Sequence, residues 1–116
     1  MHQNFPKLCR LRKSWEFHQV WKMGCKIHTP HFILLLAENS SLRCRLGLTV
    51  SRKVGNAVMR NRVKRNVREF FRREQSKFTN VVDFSVVAKR GAADLSHKDI
   101  FAELQNALEA KGHLNG

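Results

Sequence analysis

Leu48-Thr49-Val50-Ser51-Arg52-Lys53-Val54-Gly55-Asn56-Ala57-Val58-Met59 runs without a break into Arg60-Asn61-Arg62-Val63-Lys64-Arg65-Asn66-Val67-Arg68-Glu69-Phe70-Phe71-Arg72-Arg73. The rest of the chain is organised around this stretch. An alternating apolar run stops at Gly55-Asn56, and a helical pattern begins at Ala57. Asn56 is the predicted N-cap, because its side-chain oxygen can accept one of the orphan helix N–H groups. At 100° per residue Met59, Val63, Val67 and Phe70 share one stripe, which predicts a helix face turned toward a core. Asn61, Arg65, Arg68 and Arg72 fall opposite, with Arg62 beside them and Arg60 and Lys64 at the other margin.

Between Arg52 and Arg73 there are nine Lys/Arg and one acid, Glu69, a local net charge of +8 out of the chain's +13. Such a face is costly. Pairs such as Arg60/Lys64, Lys64/Arg68 and Arg68/Arg72 repel at i,i+4, and cations in the first turns oppose the helix dipole. A merely solvated face mixes acids with bases. A single sign repeated along a rigid face implies that a polyanion supplies the missing charge, so this helix is predicted to dock on RNA or DNA.

The bulk composition agrees. A length of 116 residues sets a single domain, 1–116, with one modest core. Its 22 bases against 9 acids, with a pI near 10.7, call for an acidic partner, nucleic acid or an anionic membrane surface. No apolar run reaches the ~18 residues of a membrane span. Met1–Lys7 lacks the apolar core of a signal peptide, so a cytoplasmic location and no membrane partner are expected. Cys9, Cys25 and Cys44 are odd in number and widely spaced, and read as free thiols. Cys25-x-x-His28-x-x-His31 has no second ligand pair and contains Pro30, so no metal site is expected there.

Taken in order, residues 1–12 form a basic irregular lead-in. Ser14 caps a predicted helix in which Phe17, Val20 and Trp21 share a face and Gly24 supplies the stop. From spacing alone these aromatics are either core or flat surfaces for bases at the edge of a groove. Phe32–Ala37 is a short apolar strand bounded by Pro30 and the turn cluster Glu38-Asn39-Ser40-Ser41. Alternation from Leu42 to Ser51 predicts a half-buried strand, hairpinned to the previous one. Its outer Arg43 and Arg45 either touch phosphate or solubilise the sheet. After the basic helix and a loop at Ser76–Asn80, Val81–Ala88 is predicted as a central strand, ending in a second basic spot at Lys89-Arg90. Ser96 with Asp99 resembles a capping box for a last helix striped by Ile100, Leu104 and Leu108 and ending at Lys111-Gly112. Residues 91–116 carry four acids and two bases, so that helix is expected to face away from nucleic acid. The expected fold is α+β: a small mixed sheet of about four strands packed with three helices, in the order α-β-β-α-β-α, with an extra short strand near Ile27 or Leu42.

No catalytic constellation is visible. A self-sufficient nuclease needs clustered carboxylates for metal ions or an acid–base pair, and the nine acids are scattered.

Arg60-Asn61-Arg62-Val63-Lys64-Arg65-Asn66-Val67-Arg68, preceded by Gly55–Met59, resembles the RNR signature of the protein subunit of bacterial ribonuclease P, and the element order matches from Phe17 to about Leu108. The resemblance implies a protein subunit that assists removal of the 5′ leader from precursor tRNA, with the catalytic Mg²⁺ held mainly by the RNA subunit and substrate. It implies contacts to the catalytic RNA from Arg52, Lys53, Asn56, Arg60, Asn61, Arg62, Lys64, Arg65 and Arg68; Arg72, on the same stripe, joins them. It places the leader in a cleft between the first helix and the sheet, at Phe17, Trp21 and Phe32, and Lys89 and Arg90 are added as basic residues beside it. The strand has Leu35 where relatives often have Tyr, and one helix aromatic is Trp rather than Phe. The expected partners are the catalytic RNA and precursor tRNA, with no protein partner. The competing reading is a small basic ribosomal or RNA-chaperone-type protein without a cleavage partner, which explains the charge but not the loop-plus-helix signature.

Overall fold

In a computed structural model of the chain, the described residues are 25–39 and 42–114. They form strands β1 (Cys25–His28), β2 (Phe32–Glu38), β3 (Arg45–Thr49) and β4 (Val82–Ala88), and helices α1 (Ala57–Glu74) and α2 (His97–Ala110). Short 3₁₀ turns cover Arg52–Val54, Gln75–Lys77 and Ala92–Asp94. The lead-in and the helix predicted after Ser14 lie outside the described residues.

The strands make one mixed sheet in the order β1-β2-β4-β3. β4 is central, as expected, antiparallel to β2 and parallel to β3. The hairpin expected between β2 and β3 is therefore corrected, because β4 lies between them. Six of the seven β4 residues are buried, Asp83 and Ser85 among them, and a strand covered on both faces belongs at the centre of a sheet. A parallel pair needs a long crossover, and α1 supplies it between β3 and β4. The extra short strand is Cys25–His28, joined to β2 through Thr29-Pro30-His31. Leu42, placed in the sheet by its alternation, is 96% exposed in the connection before β3.

Phe32, Leu34 and Leu36 of β2, Leu46 of β3, and Phe84 and Val86 of β4 join α1 and α2 in one buried cluster. From α1 come Val63, Val67, Phe70 and Phe71; from α2 come Ile100, Leu104 and Leu108. Met59 only packs against the margin of this core. On the other sheet face a smaller apolar group has Leu35 buried, with Ile33, Ala37 and Val87 against it. Beside it Arg45 grips Asp83 on the neighbouring strand, with Nε to Oδ1 and Nη2 to Oδ2 each at 2.7 Å. Asn39 Nδ2 adds a bond to the same carboxylate at 2.8 Å. Arg45 is thus a cross-strand clamp, a role its position in the alternation did not disclose.

The caps predicted at Asn56 and Ser96 are present, and the one predicted at Ser14 lies outside the described residues. Asn56 Oδ1 accepts from Met59 N at 2.9 Å, and Ser96 Oγ accepts from Asp99 N at 3.1 Å. Gly55 lets the preceding loop lie on the first turn of α1: a Cβ there would stand 2.9 Å from Met59 Sδ and 3.0 Å from Met59 Cβ.

Candidate nucleic-acid interface

Capped at Asn56 and anchored by Val63, Val67, Phe70 and Phe71, α1 turns its opposite stripe outward as a rigid array. Asn61, Arg62, Arg65 and Arg68 are exposed, as are Arg52, Lys53 and Asn56 just before the helix. Arg60, Lys64 and Arg72 are half-buried at its margins. Among the described residues the array is neutralised at one end only. Glu69 takes Arg72 at i+3 and Arg73 at i+4, and the Arg73 guanidinium also sits 5.5 Å from the centre of the Phe101 ring. The hydrogen bond from Arg72 comes first among the causes that hold the Glu69 carboxyl below its usual range, so this clamp stays charged. Arg72 therefore serves Glu69 instead of standing as an uncommitted cation.

Toward the N-terminal end the pattern changes. Among the described residues, Arg52, Lys53, Arg60, Lys64 and Arg65 have no acidic partner within salt-bridge distance. Arg60 Nε is buried without an acceptor among the described residues, an unusual state for a strong donor. Arg62 is exposed, yet its Nη2 donates to the Ala93 carbonyl in the 3₁₀ turn after β4. The residues that sequence reading grouped on one face are thus brought together, but Arg62 and Arg72 carry structural duties as well.

The leader-cleft residues fare differently. Phe17 and Trp21 lie outside the described residues. Phe32 is corrected: it is fully buried, on the sheet face packed by α1 and α2, and presents no ring to a base. The run Phe32–Ala37 is apolar at every position, so period 2 could not choose its face. Lys89 is half-buried, its Nζ donating to the Thr29 carbonyl at 2.7 Å, and Arg90 beside it is exposed.

Sequence reading missed a polar cluster where β1 turns into β2. Glu103 Oε2 accepts from Thr29 Oγ1 at 2.6 Å and from the His31 backbone N–H at 2.8 Å; Oε1 lies 2.8 Å from His31 Nδ1. Burial disfavours the Glu103 charge, but the Thr29 and His31 hydrogen bonds and the His31 charge outweigh it and hold this carboxyl below its usual range. The partners lie more than seventy residues apart in sequence, beyond the reach of any local motif. Cys25 and His28, three apart on one strand, point to opposite faces, and Glu103 already occupies His31 Nδ1. Glu69, Glu74, Asp83 and Glu103 are each bound to a cation or hydroxyl, and among the described residues no three His, Cys, Asp or Glu converge. This donor set does not fit a Mg²⁺ ion. No helix of the described residues is long and apolar enough to cross a membrane.

Residues 5–112 match the family model described as Ribonuclease P. The ribonuclease P protein component of Geotalea uraniireducens is 48% identical over 105 residues, covering 90% of this chain and 92% of its own. A mutant of the Staphylococcus aureus RNase P protein with defective mRNA degradation activity superimposes with a TM-score of 0.86 at 31% identity, over 93% of this chain and 92% of its own. The RNase P protein of Thermotoga maritima gives 0.78 at 30% identity, over 92% of this chain and 98% of its own. The α+β architecture, the basic helix and these likenesses agree, and the chain belongs to the ribonuclease P protein-component family.

Proposed function

We propose that this chain is the protein subunit of a ribonuclease P ribonucleoprotein. It binds the catalytic RNA through α1 and the turn before it, holds the 5′ leader of precursor tRNA, and assists hydrolysis of the phosphodiester bond that frees the mature 5′ end. The observation that carries this reading is the run of cations without acidic partners among the described residues, Arg52 and Lys53 in the turn before α1 and Arg60, Lys64 and Arg65 on it, where the other side of the helix is locked into the core. Phosphate is the natural counter-charge for such an array, and neutralising it releases counterions from the RNA. The reactive Mg²⁺ ions are assigned to the RNA subunit and substrate, a reading supported by the commitment of Glu69, Glu74, Asp83 and Glu103 to partners within the chain. Phe17 and Trp21 hold leader bases by stacking, which tolerates any sequence, and Lys89 and Arg90 add charge beside the leader.

Precursor tRNA incubated with a bacterial ribonuclease P RNA, with and without this protein, tests the reading. Leader removal at low Mg²⁺ should require both components. The protein alone should cleave neither precursor tRNA nor an mRNA; the mRNA arm is included because loss of mRNA degradation distinguishes the Staphylococcus aureus mutant. No stimulation of the RNA would favour the RNA-chaperone reading, and cleavage by repurified protein alone would place chemistry on the chain itself.

A further inference from the structure

The corner where β1 turns into β2 is more than a structural tie. A carboxylate cannot donate, so the 2.8 Å contact between Glu103 Oε1 and His31 Nδ1 requires the proton on Nδ1. Nε2, on the far side of the ring, has no hydrogen-bond partner among the described residues. The side chain is 31% exposed. Gly91, at φ +91°, lets the chain pass close to the ring; a Cβ there would lie 3.3 Å from Cδ2 and 3.7 Å from Nε2. The end of β4 brings two cations to the same place. The Lys89 amide donates to the His31 carbonyl at 2.8 Å and its ammonium to the Thr29 carbonyl at 2.7 Å, leaving two further ammonium protons for a ligand. Arg90 follows, exposed. One short turn later the Ala93 carbonyl holds Arg62, which couples this corner to the basic helix.

We propose that His31, Lys89 and Arg90 form a phosphate-binding site for RNA, in which His31 donates Nε2–H to a phosphodiester oxygen and Glu103 acts as the positioning residue. The proposal rests on the RNA-binding reading above and adds to it a contact that depends on protonation. With Nδ1–H committed to Glu103, Nε2 donates only when both ring nitrogens carry protons, so the contact forms at lower pH and is lost as the ring becomes neutral. Among the described residues, the other charged or titratable groups near the corner include Asp99, one helical turn before Glu103, Asp94 in the turn after Gly91, and His28 at the end of β1, all exposed. The Glu103 charge is met by Thr29, the His31 amide and Nδ1–H, which leaves the outward side of the ring to the cations.

The phosphate belongs either to the catalytic RNA or to precursor tRNA, and two binding titrations separate these sources. Protein is titrated with the RNA subunit, and reconstituted holoenzyme with precursor tRNA, from pH 5.5 to 8.5 at fixed salt. In one arm wild-type affinity should fall about fivefold to tenfold across this range, and His31→Gln should lose that dependence. Arg90→Ala should weaken the same arm at every pH and reduce its salt slope by about one, without changing the melting temperature. Identical pH dependence for wild type and His31→Gln in both arms overturns the proposal, as does an unchanged salt slope for Arg90→Ala. Loss in His31→Gln at all pH values alike points to Nε2 accepting from a ribose hydroxyl, and also overturns it. Failure of the underlying reading looks different: wild-type protein then binds neither RNA at any pH.

Discussion

At the scale of single residues, bonds made within the chain, and not exposure alone, separate those that serve the fold from those offered to a partner. Arg65 has no partner among the described residues, so Arg65→Ala should leave the melting temperature unchanged; Arg62→Ala gives up its bond to the Ala93 carbonyl and should cost about 1 kcal/mol. Equal melting temperatures for the two variants would contradict that division. Phe17 and Trp21 should show their role through the substrate. Stacking contributes ~1–3 kcal/mol per base, so each Ala variant should weaken holoenzyme binding to long-leader substrates and spare one-nucleotide leaders. Early melting with equal loss for every substrate would make both core residues. Glu103 carries a pH signature. Its folded pKa is depressed, so its contribution to stability is complete above the ordinary value of 4.5 and is lost as pH falls through the lower folded value. Glu103→Gln should therefore be less stable than wild type at pH 7, with the gap closing below pH 4.5. A gap that stays constant on acidification would refute this.

Among the elements, α1 is both crossover and binding face, and its two sides should respond differently. Asn56→Ala removes the cap and should cost ~1 kcal/mol, while Val67→Asp places an unpaired charge in the core and should unfold the domain. Circular dichroism melts decide both, and a folded Val67→Asp would mean the stripe is misplaced. This helix was legible in the sequence because its cap, its apolar stripe and its single-sign face all reported the same register. The strands were less so. β4 was recognisable as central from its richness in β-forming residues, but the partner of β3 was not, since alternation encodes which face is buried and not which strand lies alongside. Phe32 went wrong for a related reason: a strand apolar on both faces leaves its register to be set by its neighbours. The Arg45–Asp83 and His31–Glu103 pairs were hidden because each joins elements that only the folded chain brings together.

For the whole molecule, the basic face of α1 and its core stripe are two sides of one rigid element. One small core fixes α1 and α2 against the same sheet face, Glu69 quiets one end of α1, and the other end is left with cations that no acid among the described residues neutralises. The salt dependence of binding to the ribonuclease P RNA measures this most directly. For wild type, Lys64→Ala and Arg65→Ala, the logarithm of the association constant is followed against the logarithm of salt concentration. The expected result is a steep negative slope for wild type that flattens by about one unit in each variant, with melting temperatures unchanged. Slopes identical to wild type in both folded variants would contradict the assignment of this helix face to RNA.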